Sequence, residues 1–453
     1  MLALVIVGNT VYLRGDNKEV AIAEVKIEPS MKFQPQGYEY SEKYKAGEWD
    51  GWISLFGRFT HSFPRGFLPD VETILQIEEI EYQIRDDSEP GKYLPFTAAP
   101  PTLQLRPYQE ETVDKAIAER RGIICLPTGT GKTFCAAEII RRLGLSTIVF
   151  VHKKELMEQW ITELAGIYGV PRETIGRVGD GELNFKPITI AMLQTATRLP
   201  PQVFTDFGVS IFDEAHHVAA ETVFEIAVQS KSAYFFGLSA TPYRVDGKDL
   251  MLKGGLGDFI VNHKLSDMIE AGWLARPTVY IYPIPPETFP RHAKFAEVYR
   301  DYIVDNSDRN FRIREIAEFY RKEGLSVYIH VKHIRHGELL HELLPESMWI
   351  KGTDRTDVRQ EAIKIFGRQG GILISTLLGE GVDMPGMDVL ILACGGQSEV
   401  FVRQLIGRVL RITATKKHVV IIDFKDCCKY LAEHAENREA IYFSEEAFKV
   451  VTK

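Results

Sequence analysis

The stretch Leu126–Thr133 constrains this 453-residue chain more than any other. It reads Leu-Pro-Thr-Gly-Thr-Gly-Lys-Thr, with a strand-like apolar run before it at 122–125 and a helical run after it at 134–140. At such a helix N-terminus, backbone N–H groups converge on phosphate oxygens and the helix dipole favours negative charge. We therefore predict a phosphate-binding loop in which Lys132 reaches the β- and γ-phosphates and the hydroxyl of Thr133 binds Mg²⁺.

One position departs from the usual pattern of such loops. Leu126 stands five residues before Gly131, where that pattern has glycine. Taken alone, the loop therefore leaves a glycine-rich structural turn open as the alternative. The candidate nucleotide contacts in the loop are Thr128, Gly129, Thr130, Gly131, Lys132 and Thr133.

The length and composition indicate a soluble protein of several domains. Hydrophobic residues make up 45% of the chain and charged residues 26%, as in ordinary globular proteins. The five cysteines form no CxxC pair and no cluster with metal-ligand spacing, which favours buried thiols in a reducing compartment. Because there is neither a basic leader nor a membrane-length apolar run, we expect a soluble, intracellular protein of the cytoplasm, with no membrane partner.

The net charge of −8 argues at first sight against a nucleic-acid partner. Its distribution matters more, because residues 1–98 hold 10 Lys and Arg against 16 Asp and Glu, a net −6. A groove on the rest of the chain can therefore be locally basic. Overall charge excludes no class of partner.

Residues 1–98 are predicted to form a small α+β domain. Strands fit 2–7 and 11–14 around a hairpin turn, a weakly alternating run at 20–27 suggests another strand, and a short helix fits 70–75. The Pro- and Gly-rich stretch that follows is predicted to be a linker.

The segment 38–63 of this domain is dense in aromatic residues interleaved with lysine and arginine. Aromatic faces beside cations suit unpaired bases and phosphates, and Trp49 and Trp52 are our candidates for such contacts. Strands also need aromatic residues, so the core of a small domain is the alternative.

From residue 99 onward, apolar runs alternate with segments of helical periodicity. This pattern is typical of a parallel sheet with helices on both faces, and we place two such α/β domains at 99–283 and 284–453. The predicted strands are 147–151, 188–193, 209–212, 234–238, 327–331, 348–350, 372–375, 389–393 and 419–423. The predicted helices of the second domain are 311–320, 337–344, 358–366 and 400–408.

An ATP hydrolase needs a carboxylate for Mg²⁺ and a group that orients the attacking water. The run 209–212 leads to Asp213 and Glu214 at the C-terminal end of a predicted strand, where α/β sheets bind ligands. We assign Asp213 to the metal and Glu214 to the water, with a solvated turn as the alternative. No zinc site is expected at His216 and its neighbour, because no further ligands are suitably spaced.

Charge that develops on the γ-phosphate calls for further cations. The run 404–411 places Arg408 and Arg411 three residues apart, on one face if the run is helical. Arginines on a helix surface are usually only solvated, which is the alternative. If they meet the nucleotide instead, ATP lies between the two α/β domains and its hydrolysis opens and closes them.

With these residues in place, the sequence resembles the superfamily-2 helicases. The resemblance implies two RecA-like parallel-sheet domains in tandem, preceded by the small α+β domain. The matching segments, in family order, are 105–109 (adenine-reading), 126–133 (motif I), 151–156 (Ia), 189–195 (Ic), 213–216 (II, Asp-Glu-Ala-His), 239–241 (III), 327–333 (IV), 375–383 (V) and 404–411 (VI).

The resemblance also implies roles for single residues. Those near ATP are Arg106 and Gln109 for adenine, Lys132, Asp213, Glu214, Gln404, Arg408 and Arg411 for catalysis, and Gly381 and Asp383 for the link between nucleotide and nucleic acid. Those implied to contact the phosphate backbone are Lys153, Thr195, Lys332 and Thr376. Those implied to couple the two sites are His216, Ser239 and Thr241.

Within the superfamily, motif II and the continuation of motif III resemble the XPB-like and phage UvsW-like group. The run 44–56, followed by 66–68, resembles the substrate-recognition module of UvsW-like enzymes, which are ATP-driven DNA helicases acting on forks and Holliday junctions. The module's net acidity departs from a phosphate-gripping role and suggests a wedge.

The sequence therefore predicts an ATP- and Mg²⁺-dependent DNA helicase or translocase that remodels branched, forked or single-stranded DNA in recombination, replication or repair. An RNA helicase is the nearest alternative, and an ATP-switched nucleic-acid-binding or annealing protein is another. We expect a monomer, with single-strand-binding or recombination proteins as candidate partners.

Overall fold

The structure, a computed structural model, divides into two compact units. The first contains Met1–Leu126 and Gly131–Asn262, and the second contains Pro127–Thr130 and His263–Lys453. Among the described residues, no helix is long and apolar enough to cross a membrane. The described residues are 1–35, 37–88, 91–98, 104–215, 220–240, 249–289, 292–377, 386–395, 399–412, 416 and 418–453.

The first unit begins with the predicted small α+β module. Its strands are β1 (Leu2–Val7), β2 (Thr10–Arg14), β3 (Lys32–Phe33), β4 (Ile53–Ser54), β5 (Ser62–Pro64) and β6 (Tyr82–Asp86), and its helices are α1 (Asn17–Ile27), α2 (Glu42–Lys45) and α3 (Leu68–Ile77). Four strands form a sheet in the order β5-β2-β1-β6, in which β1 and β2 are the predicted hairpin. Apolar side chains of this sheet share one core with those of α1 and α3.

Residues 20–27, for which we predicted a strand, are helical because local signals favour a helix. The side chain of Asp16 caps α1 by accepting a backbone N–H two residues on, at 2.9 Å. The buried residues Val20, Ala23 and Ile27 recur every three to four positions, which places them on one helical face. This spacing, rather than the weak alternation of the intervening residues, decides the structure.

The module is docked tightly on the α/β part of the same unit. A Cβ added to Gly66 would lie 1.9 Å from the carbonyl oxygen of Lys253, so only glycine allows this approach. Lys253 also forms an ion pair with Asp70 at 2.7 Å. The side chain of Asn9 donates a hydrogen bond to the Ser230 carbonyl at 3.3 Å.

The predicted linker between these parts is described at 91–98. The N–H of Ser146 donates to the carbonyl of Lys92 at 2.6 Å, and the N–H of Leu94 donates to the carbonyl of Gly144 at 2.8 Å. This segment is therefore bound along the α/β part of the unit.

The rest of the first unit is an eight-stranded sheet with helices, which confirms the predicted class of fold. Its strands are β7 (Arg121–Cys125), β8 (Thr147–Val151), β9 (Ile175–Gly179), β10 (Glu182–Asn184), β11 (Ile188–Met192), β12 (Val209–Phe212), β13 (Tyr234–Ser239) and β14 (Phe259–Asn262). Its helices are α4 (Pro107–Glu119), α5 (Lys132–Leu143), α6 (Lys154–Ile167), α7 (Leu193–Ala196), α8 (Ala220–Gln229) and α9 (Asp249–Leu256). The strand order is β10-β9-β11-β8-β12-β13-β7-β14, and neighbouring strands are parallel except for β9 and β10.

The second unit contains a seven-stranded parallel sheet. Its helices are α10 (Leu265–Glu270), α11 (Phe295–Tyr299), α12 (Ser307–Lys322), α13 (Ile334–Leu343), α14 (Thr356–Gln369), α15 (Glu399–Val409) and α16 (Leu431–Ser444). Its strands are β15 (Arg276–Pro283), β16 (Val327–His330), β17 (Met348–Ile350), β18 (Ile372–Ser375), β19 (Val389–Leu392), β20 (His418–Lys425) and β21 (Lys449–Thr452). The strand order is β17-β18-β16-β19-β20-β15-β21.

Strand β15 lies on the other side of the boundary that we drew at 283/284. Arg276–Pro283 pairs along its whole length with β20, which belongs to the second sheet. The boundary between the two sheets therefore lies before Arg276.

Parallel strands bring their carboxyl ends to one edge of a sheet. In the first sheet, the residues that follow β7, β8, β11, β12 and β13 share this edge. They include most of the residues for which the sequence predicted a function.

Candidate functional site

The phosphate loop connects β7 to α5 through two glycines that adopt left-handed backbone conformations. Their φ angles are 88° at Gly129 and 89° at Gly131, values that favour glycine over any other residue. The Thr130 hydroxyl donates to the carbonyl of Pro127 at 2.6 Å, which closes the turn. The loop therefore has the glycine-dependent bend before a helix N-terminus that phosphate binding requires.

Leu126 has a structural reason to stand where the pattern has glycine. Its side chain is fully buried, and its N–H donates to the carbonyl of Ser239 at 3.0 Å. The residue thus continues the pairing of β7 with β13, and the bend begins only after it. The departure from the pattern lies in the strand rather than in the part of the loop that would meet phosphate.

Lys132 and Glu214 lie together at the start of α5. The sequence analysis had assigned both residues to one ATP site, Lys132 to the phosphates and Glu214 to the attacking water. The Lys132 ammonium lies 3.1 and 3.2 Å from the two carboxylate oxygens of Glu214, and Lys132 is only 8% exposed. Glu214 has a φ of 49°, a strained value for a residue with a side chain. Strain of this kind is characteristic of residues at functional sites.

Asp213 is buried directly behind this ion pair. It is 4% exposed; its Oδ2 accepts the indole N–H of Trp160 at 2.8 Å, and its Oδ1 accepts the N–H of Glu214 at 3.0 Å. Burial, and after it the charge of Glu214, raises the pKa of Asp213 to about 6. The sequence analysis assigned no function to Trp160. Its indole N–H, which needs an acceptor when buried, is the signal that could have found it.

The donor set fits Mg²⁺ bound together with a nucleotide. One buried carboxylate, Asp213, and one hydroxyl, that of the half-buried Thr133, are the protein ligands that such a site uses, because Mg²⁺ keeps several waters and takes the rest from phosphates. Within the described ranges, no group of three or more His, Cys, Asp or Glu residues is placed to hold a metal ion.

The predicted adenine-reading residues lie next to the same helix start. The side-chain oxygen of Gln109 accepts the N–H of Arg106 at 2.9 Å. The amide nitrogen of Gln109 lies 2.5 Å from where a Cβ on Gly131 would stand. The structure therefore brings Gln109 against the phosphate loop and fixes its side chain through Arg106.

Only one of the two predicted arginines lies in the predicted helix. α15 includes Arg408 but ends at Val409, and Arg411 forms a β-bridge with Leu274 beyond it. The condition for a shared helical face, that the run is helical through Arg411, is not met, because the helix stops between the two arginines. The side chain of Gln404 lies outside the described residues.

Part of the phosphate loop belongs to the second unit, where it approaches this segment. A Cβ on Gly407 would lie 2.7 Å from the Cβ of Thr128, and a Cβ on Gly129 would lie 2.9 Å from the Cγ of Arg411. Glycines at these two positions permit the close approach.

The predicted backbone contacts lie at strand ends in each unit. In the first unit, the exposed Lys153 precedes α6 just after β8, and the half-buried Thr195 lies in α7 after β11, which neighbours β8. In the second unit, Lys332 follows β16, with its ammonium 5.9 Å from the centre of the Tyr299 ring. Thr376 follows the neighbouring β18, and its hydroxyl accepts the N–H of Gly352 at 3.1 Å.

The two tryptophans of the N-terminal module differ in accessibility. The indole N–H of Trp49 donates to the carbonyl of Trp52 at 2.7 Å, so Trp49 organises its own loop. Trp52 is 47% exposed. Exposed aromatic side chains also occur nearby at Tyr40, Tyr44 and Phe59.

Ser239 is the last residue of β13 and is buried. Its carbonyl accepts the hydrogen bond from Leu126 described above. The other predicted coupling residues, His216 and Thr241, lie outside the described residues, as do Gly381 and Asp383.

Comparisons with known proteins agree with this geometry. Residues 102–244 match the family model described as "Type III restriction enzyme, res subunit". Three curated relatives are similar to this chain. The putative DNA 3'-5' helicase Rad25 of Halobacterium salinarum is 29% identical over 74% of this chain and 56% of its own length. The DNA 3'-5' translocase XPB2 of Sulfurisphaera tokodaii is 28% identical over 70% and 81%. The ATP-dependent DNA helicase uvsW of Enterobacteria phage T4 is 24% identical over 92% and 89%.

Solved structures support the fold. The fragment of a putative HsdR subunit of a type I restriction enzyme from Vibrio vulnificus YJ016 matches with a TM-score of 0.57 at 19% identity, over 78% of this chain and 70% of that one. In sequence the chain is similar to ATP-dependent helicases, and its fold is mixed α/β with two parallel-sheet domains. Among these helicases, it is similar to the XPB-like and phage UvsW-like proteins.

Proposed function

We propose that this chain is an ATP- and Mg²⁺-dependent DNA helicase or translocase that remodels forked or branched DNA, as in fork regression and Holliday-junction branch migration. The main support is the meeting of Lys132, Asp213 and Glu214 beside a glycine-bent loop at a helix N-terminus. Similar proteins named as DNA helicases or translocases support DNA as the substrate. Because the first of them extends well beyond the aligned region, the activity of the whole protein is part of the proposal.

The charges in the site support a hydrolytic role. Lys132 is paired with Glu214 at 3.1 Å. An incoming triphosphate carries more negative charge and competes for Lys132, which releases the Glu214 carboxylate. Glu214 then orients the attacking water and accepts its proton.

Asp213 and Thr133 would hold the Mg²⁺ that accompanies ATP. The ion would supply positive charge to the phosphate oxygens as negative charge develops there. We assign adenine recognition to Gln109 and Arg106, and we assign stabilisation of the γ-phosphoryl charge to Arg408 and Arg411.

Lys153, Thr195, Lys332 and Thr376 are proposed to contact the DNA backbone. Each pair follows neighbouring parallel strands, so each sheet presents one cation and one hydroxyl along its strand-end edge. Phosphate contacts of this kind position a strand and carry no sequence information. The proposed enzyme would therefore act on DNA structure and not on a particular sequence.

We define the aromatic surface as Tyr40, Tyr44, Trp52 and Phe59, and we propose that it meets the branch point of the DNA. These side chains are exposed, and stacking on bases does not depend on sequence. Two cations of the module, Arg58 and Lys32, are already engaged, because both pair with Glu28 at 2.8 and 3.0 Å. This supports stacking, or a wedge, in preference to a phosphate clamp.

The domain roles that accompany this function are proposals as well. Residues 1–98 would recognise the branched substrate, and the two α/β domains would act as the helicase domains. We propose a monomer that works inside the cell, with single-strand-binding or recombination proteins as partners.

The test is to measure unwinding and ATP hydrolysis on forks, Holliday junctions, tailed DNA duplexes and RNA duplexes, with Glu214→Gln as the inactive control. We expect unwinding on DNA, fastest on forks and junctions. Equal activity on RNA duplexes would favour an RNA helicase. Nucleotide-dependent binding without unwinding of any substrate would favour an ATP-switched binding protein.

A further inference from the structure

Trp160 joins the helix that begins at the predicted DNA contact to the predicted metal carboxylate. It lies on α6, is completely buried, and donates its indole N–H to Oδ2 of Asp213 at 2.8 Å. Lys153 precedes the first residue of the same helix. Seven residues separate Lys153 from Trp160, or about 10 Å along the helix axis.

This hydrogen bond does more than satisfy a buried indole. Its acceptor is a carboxylate at a strand end, on an element far away in sequence, rather than a nearby backbone carbonyl. A bond to an ionised acceptor is shorter and stronger than one between neutral groups. With the N–H of Glu214 on Oδ1, both oxygens of Asp213 have a defined donor, so rotation of the carboxylate is restricted.

We infer that Trp160 is a positioning residue that orients the Asp213 carboxylate for the metal–nucleotide complex. This inference rests on the proposed function, because it presumes that Asp213 binds Mg²⁺. Groups that orient metal ligands in this way typically change metal affinity about 10–100-fold when they are lost. Since α6 is a rigid element, it would also carry a displacement at Lys153 directly to Asp213.

The first test compares nucleotide affinity with and without Mg²⁺ in Trp160→Phe, which keeps a large aromatic ring and removes the N–H. We expect binding of ADP with Mg²⁺ to weaken about 10-fold or more, while binding of ADP in EDTA stays unchanged. Equal weakening under both conditions would overturn the inference and leave Trp160 a packing residue. Unchanged binding under both conditions would overturn it as well.

The matched control is Tyr168→Phe. Tyr168 is also buried, adjoins the end of α6, and donates its hydroxyl to a backbone carbonyl, that of Phe134, at 3.2 Å. Its loss removes a buried aromatic hydrogen bond without touching Asp213. We expect a decrease in stability comparable with that of Trp160→Phe and no change in the Mg²⁺ dependence of nucleotide binding.

A second measurement follows the indole of Trp160 in the native protein. The chain has five tryptophans, so an indole ¹⁵N spectrum contains few resonances, and Trp160→Phe identifies that of Trp160. We expect this resonance to shift on addition of ADP with Mg²⁺ and to stay in place with ADP in EDTA. If the Trp160 resonance does not shift on either addition, the inference is contradicted. If the native protein binds no nucleotide at all, the proposed function itself is contradicted.

Discussion

The phosphate-loop site and the aromatic surface of the N-terminal module show two opposite ways of placing functional side chains. At the loop, Lys132, Asp213 and Trp160 are almost fully removed from solvent and are fixed by hydrogen bonds. On the module, Trp52 is half exposed, and Phe59 is fully exposed. Chemistry on phosphate needs charges held in place where water is excluded, whereas stacking on a base needs faces that remain open.

The two regions also differ in what their ion pairs do. At the loop, Lys132 pairs with Glu214, and in the proposed mechanism an incoming triphosphate displaces Glu214 from this pair. In the module, Arg65 pairs with Asp86 at 2.8 Å, and Glu28 engages two further cations. These three cations thus stabilise the module's own fold, which is consistent with the proposed stacking role of its exposed aromatic residues.

The largest effect is expected at the loop. Lys132→Ala and Glu214→Gln should each lower DNA-stimulated ATP hydrolysis by at least about 100-fold, because one removes the phosphate cation and the other removes the base. DNA binding should persist, because neither residue belongs to the strand-end contacts or the aromatic surface. The measurement is steady-state ATPase together with fluorescence-anisotropy binding of a forked DNA.

A loss of DNA binding equal to the loss of hydrolysis would remove the contrast between the two regions. Hydrolysis at the native rate in both variants would contradict the assignment of the site.

The position of the acidic pair at the end of a strand could be predicted from the sequence because its signal is local. Asp213 and Glu214 follow an apolar run whose predicted bounds, 209–212, agree with β12. The bond from Trp160 to Asp213 spans 53 positions, and only tertiary structure brings its two ends together. No periodicity or spacing encodes such a contact.

The module was harder to predict because its signals are weak and mixed. Residues 20–27 contain both strand-like alternation and helical spacing, and the cap at Asp16 settles the outcome. The same limit applies to Arg411, because no local pattern indicates its bridge with Leu274.

The joint between the two regions is expected to be sensitive to a single methyl group. Gly66→Ala places a Cβ 1.9 Å from the Lys253 carbonyl, and we expect a loss of stability of about 1–3 kcal/mol from the forced shift. The measurement is urea unfolding of the full chain. The control is Gly166→Ala in α6, where nothing lies within 4 Å of the new Cβ and alanine should be neutral or stabilising. Equal stability of Gly66→Ala and the native protein would show that the module is not tightly docked.

The buried carboxylate predicts a pH dependence that the exposed surface lacks. Burial, and then the charge of Glu214, raises the pKa of Asp213 to about 6, and a metal must displace the proton held below that pH. Binding of ADP with Mg²⁺ should therefore weaken by up to about tenfold per unit as the pH falls below 6, and this group should contribute no dependence above it.

Calorimetric titrations between pH 5 and 7.5, with and without Mg²⁺, measure this dependence. Asp213→Asn is the control and should remove the metal-specific part. Mg²⁺-dependent binding that weakens as the pH rises would contradict the prediction.

The smallest effect is expected on the aromatic surface. Trp52→Ala removes a half-exposed ring, and loss of one stacked base should weaken binding of forked DNA by about 1 kcal/mol, or roughly fivefold, at the low end of stacking energies. ATP hydrolysis stimulated by single-stranded DNA should stay near the native rate, because the loop and the strand-end contacts are untouched. Phe443→Ala is the matched control, since Phe443 is an exposed aromatic residue on α16 with no proposed contact to DNA. If both substitutions weaken fork binding equally, exposure of an aromatic ring does not by itself mark a DNA contact, and the module would support folding instead of substrate recognition.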